Sequence, residues 1–200
     1  MKFLLIISLV LSLSSCSNEL SKNEYLKYLQ DPENGLVKIV EINNIQIRCE
    51  YKPSDYVVLN QLSKQLETEK TITNRKDLLS EADDFITFYI KLSSTKENDF
   101  LKTDLLNKDQ YYKRLNYYNS EIENDLILVQ GKDTLQSNYT YLERNFGIGN
   151  ESTLIVGFVK NKEKASENFS LILNEQALNL GQIKFDFLSE KINKVPKVKI

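Results

Sequence analysis

The chain has 200 residues, which suits one domain and allows two only if both are small. Its formal net charge is −2 and its only concentration of basic residues is the short tail Lys191–Lys199, so nucleic acid is not expected as a partner, because phosphate binding wants a basic stripe. Histidine is absent, which removes HExxH metal sites and every Ser-His-Asp or Cys-His arrangement, together with the side chain that titrates nearest neutral pH.

The first element, MKFLLIISLVLSLSSC, decides where the rest of the chain lives. Lys2 gives a positive start, Phe3 to Leu13 form an apolar run broken only by Ser8 and Ser12, and Ser14 and Ser15 are the small residues that precede a processing cut. The run is shorter than the roughly 20 apolar residues that span a bilayer. An ordinary secretory signal would want a small residue where Leu13 stands. Leu13-Ser14-Ser15-Cys16 resembles the bacterial lipobox of type II signal peptides. That resemblance implies recognition of Leu13, Ser14 and Ser15 by the signal peptidase, cleavage before Cys16, and lipid on the Cys16 sulfur and amine. It also implies attachment to the cell envelope membrane, and Ser17 in place of an inner-membrane retention aspartate favours the outer membrane. The expected organisation is therefore a signal peptide over 1–15, a lipidated N-terminus and tether over 16–35, and one domain over 36–200.

Tyr25, Leu26, Tyr28 and Leu29 suit a short helix, which Asp31-Pro32-Glu33-Asn34-Gly35 ends with a turn. The run DPENGLVK at 31–38, with the tyrosine- and proline-containing segment after it, resembles uncharacterised lipoproteins of Bacteroidota; the resemblance covers about residues 25–60 and brings no activity with it.

Leu36–Ile42 and Ile45–Tyr51 flank Asn43-Asn44, a type I′ hairpin signal. In the second strand Cys49 alternates with Ile45, Ile47 and Tyr51, which places it with the core. Cys16 is taken by lipid, so Cys49 has no disulfide partner and reads as a small buried hydrophobe. Pro53 starts a helix with the stripe Tyr56, Leu59, Leu62 and Leu66, ending near Thr68. Residues 69–82 read as a loop, and Glu81, Asp83 and Asp84 as its solvated edge rather than a cation site.

Phe85–Leu92 alternates as a strand with Ile86, Phe88, Ile90 and Leu92 inward. From Asn98 to about Ser120 the pattern is helical, with a break at Asn107-Lys108-Asp109 left open. Phe100, Leu101, Leu105, Tyr111, Tyr112, Leu115, Tyr118 and Ile122 fall in its apolar sector, while Leu106 and Tyr117 project on the far side as contact residues for an envelope protein partner. The remainder reads as antiparallel β: Leu126–Gln130, Thr134–Arg144, a doubly covered central strand Thr153–Lys160, Phe169–Leu173, Ile183–Phe187, and an edge strand at Val198 and Ile200.

Strands in runs with grouped helices imply an α+β fold, an antiparallel sheet or open β-sandwich with two or three helices packed on one face. No residue stands out as catalytic, and neither a metal nor a cofactor is expected. Paired carboxylates or a serine-lysine dyad assembled from distant positions would leave no mark in one sequence. The leading expectation is a structural or assembly lipoprotein acting by protein contact, and the other is a binding module for a glycan, peptide or lipid.

Overall fold

The computed structural model describes residues 19–63, 75–144 and 149–199. Cys16, with Leu13, Ser14 and Ser15, lies outside them, as do Leu66, Thr68 and Ile200.

Strand β1 (Glu19–Leu20) leads into helix α1 (Lys22–Gln30). The helix starts on a reciprocal cap, in which Ser21 Oγ accepts from the Glu24 N–H and the Glu24 carboxylate accepts from the Ser21 N–H. Tyr25 and Leu29, one turn apart, are buried against Leu36 and Val198. The tether expected over 16–35 is thus folded onto the domain from Glu19 onward, because this stripe finds a covering surface. β1 pairs in parallel with β11 (Lys197–Val198).

The hairpin β2 (Val37–Ile42) and β3 (Ile45–Lys52) turns at Asn43 and Asn44, with φ of 50° and 66°, the left-handed pair a type I′ turn needs. β4 (Phe85–Ser94), β7 (Tyr139–Glu143) and β8 (Glu151–Val159) complete a sheet in the order β2-β3-β4-β8-β7. β5 (Leu126–Gln130), β6 (Asp133–Gln136), β9 (Phe169–Glu175) and β10 (Gly181–Phe187) form a second in the order β10-β9-β5-β6. Every pairing within these two sheets is antiparallel. The inner faces meet as an open sandwich: Phe88 of the first sheet lies 6.0 Å from Phe169 and 5.2 Å from Phe187 of the second, ring to ring. The expected α+β class holds. Cys49 is fully buried in this core, where burial pushes its thiol well up, as its alternation implies.

Several local readings change. The strand expected over 134–144 is two strands, since the chain leaves β6 of one sheet, turns at Ser137-Asn138 and enters β7 of the other. Of the loop expected over 69–82, residues 69–74 lie outside the described residues and 75–82 belong to helix α3 (Arg75–Asp83), which packs on α2 (Ser54–Ser63). Strand β8 is interior, but its second face is covered only in part: Ile155 is partly buried, Gly157 is buried under Tyr139, and Val159 is half exposed. Asp83 and Asp84 make ion pairs with Lys160 and Lys162 at 2.8 and 2.7 Å.

The helix expected over 98–120 is broken. A 3₁₀ turn at Phe100–Lys102 is followed by a left-handed Asp104, then by α4 (Lys108–Asn116) capped by Asn107, and then by a π turn over Tyr117–Glu121. These departures change the angular phase on which the projection depends. Tyr112, expected in the apolar sector, is 54% exposed, while Tyr117, expected outside it, is 7% exposed. The helices also divide between two places. α2 rests on the outer face of the larger sheet, where Asn60 Nδ2 donates to Tyr89 Oη at 3.3 Å. α4 and the π turn bridge both sheets, with Tyr118 Oη donating to Glu175 and the Arg144 guanidinium donating to Tyr111 Oη.

Candidate binding site

The sandwich has two different ends. β3 runs from Ile45 to Lys52, and at about 3.3 Å per residue its ends are roughly 23 Å apart. Around its Lys52 end gathers an open groove of about 940 Å³. β1, β11, Asp55 and α3 line it, and with Lys160 and Asp83 paired to each other, Arg75, Lys76, Lys197 and Lys199 stand against the acids Glu19 and Asp55. A charge-mixed open groove selects no chemistry.

At the Ile45 end three turns enclose a smaller cavity of about 450 Å³: the β2–β3 turn, residues 103–110, and the β9–β10 turn. Asn43, Asn44, Asp104 and Asn179, all with positive φ, are the non-glycine residues in left-handed backbone among the described residues, and all four line it. Short polar side chains tolerate that conformation best, so the geometry explains part of this composition. The β9–β10 turn is pinned from beneath by the buried Glu175, whose carboxylate accepts from Tyr118 Oη at 2.9 Å, Leu178 N at 3.0 Å and Leu180 N at 3.2 Å. Residues 99–107 are held by Asp99 Oδ1, accepting from Leu101 N at 3.1 Å, and by Gln110 Oε1, accepting from Leu106 N at 2.9 Å.

Arg114 of α4 also lines this cavity, and it is 6% exposed. Its Nη1 donates to Leu101 O at 2.9 Å and Thr103 O at 2.7 Å. Its Nε has no hydrogen-bond partner among the described residues, and neither has the hydroxyl of Thr103, which is 3% exposed and lines the same cavity. No described carboxylate comes within ion-pair distance of Arg114: Asp104 pairs with Lys96 at 3.1 Å, and Glu175 acts on the guanidinium only through space. A buried cation satisfied only on one nitrogen is costly to maintain, which makes it the most informative charge in the fold.

Of the two expected contact residues, Leu106 stands at this rim and is 86% exposed. Tyr117 does not join it. Its hydroxyl donates to Asp125 Oδ2 at 2.9 Å, and burial and then that bond raise its pKa. Replacing Tyr117 by phenylalanine should cost about 1.5–3 kcal/mol, the scale of a hydrogen bond to a charged group, measured by urea unfolding. A loss below about 0.5 kcal/mol would return Tyr117 to the surface.

A second charged group lies under α2. Glu50 is 2% exposed and accepts from Arg48 Nε at 2.5 Å, with Lys52 Nζ at 2.6 Å and Lys91 Nζ at 3.6 Å. Lys52 is itself buried, and its ammonium sits 4.2 Å from the Tyr56 ring centroid and 5.4 Å from that of Tyr89. Every charge here has a partner, so the cluster is structural. Among the described residues no group of three or more cysteines and carboxylates is placed to hold a metal ion, and no helix is long and apolar enough to cross a membrane. No protein-family model matches the chain, and no curated protein or solved structure matches it.

Proposed function

We propose that the chain is a cell-envelope lipoprotein, held at the outer membrane by lipid on Cys16, that acts by contact or binding rather than catalysis at the end of the sandwich remote from the anchor. The observation that carries this is the position of Glu19. It lies three residues beyond Cys16 and is tied into the fold by pairing with Lys197, so the lipid would emerge beside the groove at one end and leave Leu106 and the polar cavity at the other. Lipid on both the Cys16 sulfur and its amine would supply the two signals that stable anchoring takes. Confinement to a surface would also raise the effective concentration of a weak contact.

The interaction reading draws on Leu106 and Tyr112, two exposed apolar side chains that line one shallow cleft beside α4. The binding-module reading draws on Arg114, because a protein-contact surface has no need of a buried guanidinium.

Cys16→Ala should abolish incorporation of labelled palmitate and move the protein out of the membrane fraction; continued labelling would sink the anchor. Leu106→Asp should leave stability within about 0.5 kcal/mol of the parent, as for other exposed positions. The same variant should lower recovery of a cross-linked envelope partner, and unchanged recovery would remove this rim from the interface.

A further inference from the structure

The cavity at the Ile45 end has the chemistry of a site with one charged partner missing. Both hydrogens of Arg114 Nη1 are taken by the Leu101 and Thr103 carbonyls, and neither Nε nor Nη2 makes a hydrogen bond among the described residues. What remains is the Nε–Nη2 edge, the planar fork that two oxygens of a carboxylate match. The Nε atom and the Thr103 hydroxyl are both closed to a water-sized sphere in this structure, so a small shift of the cavity lining must open them to the group that satisfies them.

The rest of the lining narrows the choice. Arg114 is its one cation and Asp104 also lines it, so a single negative charge suits the site better than a phosphate dianion. The side chains of Asn43, Asn44 and Asn179 make no hydrogen bonds among the described residues. Each amide offers both a donor group and an acceptor, the pattern that ring hydroxyls use. The volume falls within the roughly 300–1,000 Å³ of small-ligand sites.

We propose that this cavity binds the carboxylate of an acidic sugar, with Arg114 and the Thr103 hydroxyl beneath and the Asn43, Asn44 and Asn179 amides around its hydroxyls. The proposal rests on the binding-module reading of this end of the sandwich and is independent of the lipid anchor.

The test is calorimetric titration of the full chain in detergent micelles with glucuronate, glucose and the dipeptide alanyl-alanine. Glucuronate should give saturable heat, glucose none at the same concentration, and the dipeptide at least tenfold weaker binding. Thr103→Val removes an unpartnered hydroxyl with little change of shape, so the ligand-free unfolding midpoint should stay or rise while glucuronate affinity falls roughly tenfold, the scale of one hydrogen bond. Arg114→Lys keeps the charge and loses the fork, and should lower affinity at least tenfold in protein whose circular dichroism is unchanged. If that variant does not fold, Thr103→Val and Asn179→Gly, which keeps the left-handed turn, decide the matter, with Asn179→Gly also weakening glucuronate.

Absence of glucuronate heat overturns the proposal, as does equal binding of glucose or stronger binding of the dipeptide. So does unchanged affinity in Thr103→Val, or a crystal grown in saturating glucuronate that holds only ordered water at Arg114. A lowered midpoint in Thr103→Val would show that the hydroxyl has a structural partner. Palmitate labelling of Cys16 reads the anchor separately, so either idea can fail alone. Unchanged partner recovery in Leu106→Asp with a normal titration would likewise remove the protein partner and keep the ligand.

Discussion

Replacing Glu50 by glutamine should cost the fold about 3–5 kcal/mol, the range found when one member of a buried ion pair is removed. The loss would come less from the missing attraction than from Lys52, which is 5% exposed and would keep its charge beneath α2 with only the Tyr56 and Tyr89 rings against it. Arg48 and Lys91, partly exposed, would turn to solvent at smaller cost. Urea unfolding of Glu50→Gln and of Glu50→Gln/Lys52→Met gives a direct check, because the double variant removes the stranded charge and should recover most of the loss. A single-variant loss below about 1 kcal/mol would mean that water reaches the cluster freely.

The same carboxylate makes a pH prediction. Burial by itself would raise its pKa, but the pull of Lys52, Arg48 and Lys91 outweighs burial and holds Glu50 below its ordinary value. A carboxyl whose folded pKa is depressed contributes stability in full above its unfolded pKa, near 4.3, and loses it as pH falls through the folded value. The parent should therefore lose more stability than Glu50→Gln on acidification from pH 6 to pH 2. Parallel acid curves for the two would contradict the shift.

Phe88→Ala should also cost about 3–5 kcal/mol. Phe88 is fully buried and meets Phe158 at 6.1 Å within its own sheet and Phe169 and Phe187 across the core, so truncation opens a hole where the two sheets touch. Neighbouring aromatic rings are stiff and refill such a space poorly. Phe88→Leu keeps an apolar filler and should lose clearly less. Equal losses in the two variants would show that ring contacts, rather than filled volume, dominate this part of the core.

The Phe88 strand was legible because a half-buried strand repeats every two residues and each of Ile86, Phe88, Ile90 and Leu92 is large and apolar. The Asn43-Asn44 turn was legible because few residues tolerate consecutive left-handed positions. α3 was not: its sequence, RKDLLSEAD, buries no residue fully and is held mainly by α2. The π turn was invisible for another reason, since a fixed 100° step carries no information about an added residue, and Tyr117 was misplaced by it. For the cavity, sequence offered Asn43, Asn44 and Leu106. Arg114 looked like an ordinary charge on a polar helix, and nothing local says that the carbonyls of Leu101 and Thr103, on the far side of a left-handed turn, come round to meet it.

The passage from β6 to β7 has a consequence for how the protein opens. Only Ser137 and Asn138 separate strands that belong to different sheets, and both are fastened: Ser137 Oγ donates to Glu123 O, the Asn138 N–H donates to Gly157 O, and Asn138 Oδ1 accepts from Val159 N. Neither sheet can peel away without dragging this short splice and breaking its bonds. Amides deep in β5 and β9 and those in β4 and β8 should consequently exchange with deuterium through one shared event, whereas α1 and the β1–β11 pair, which hang on the smaller cluster around Tyr25, release their protons earlier and independently.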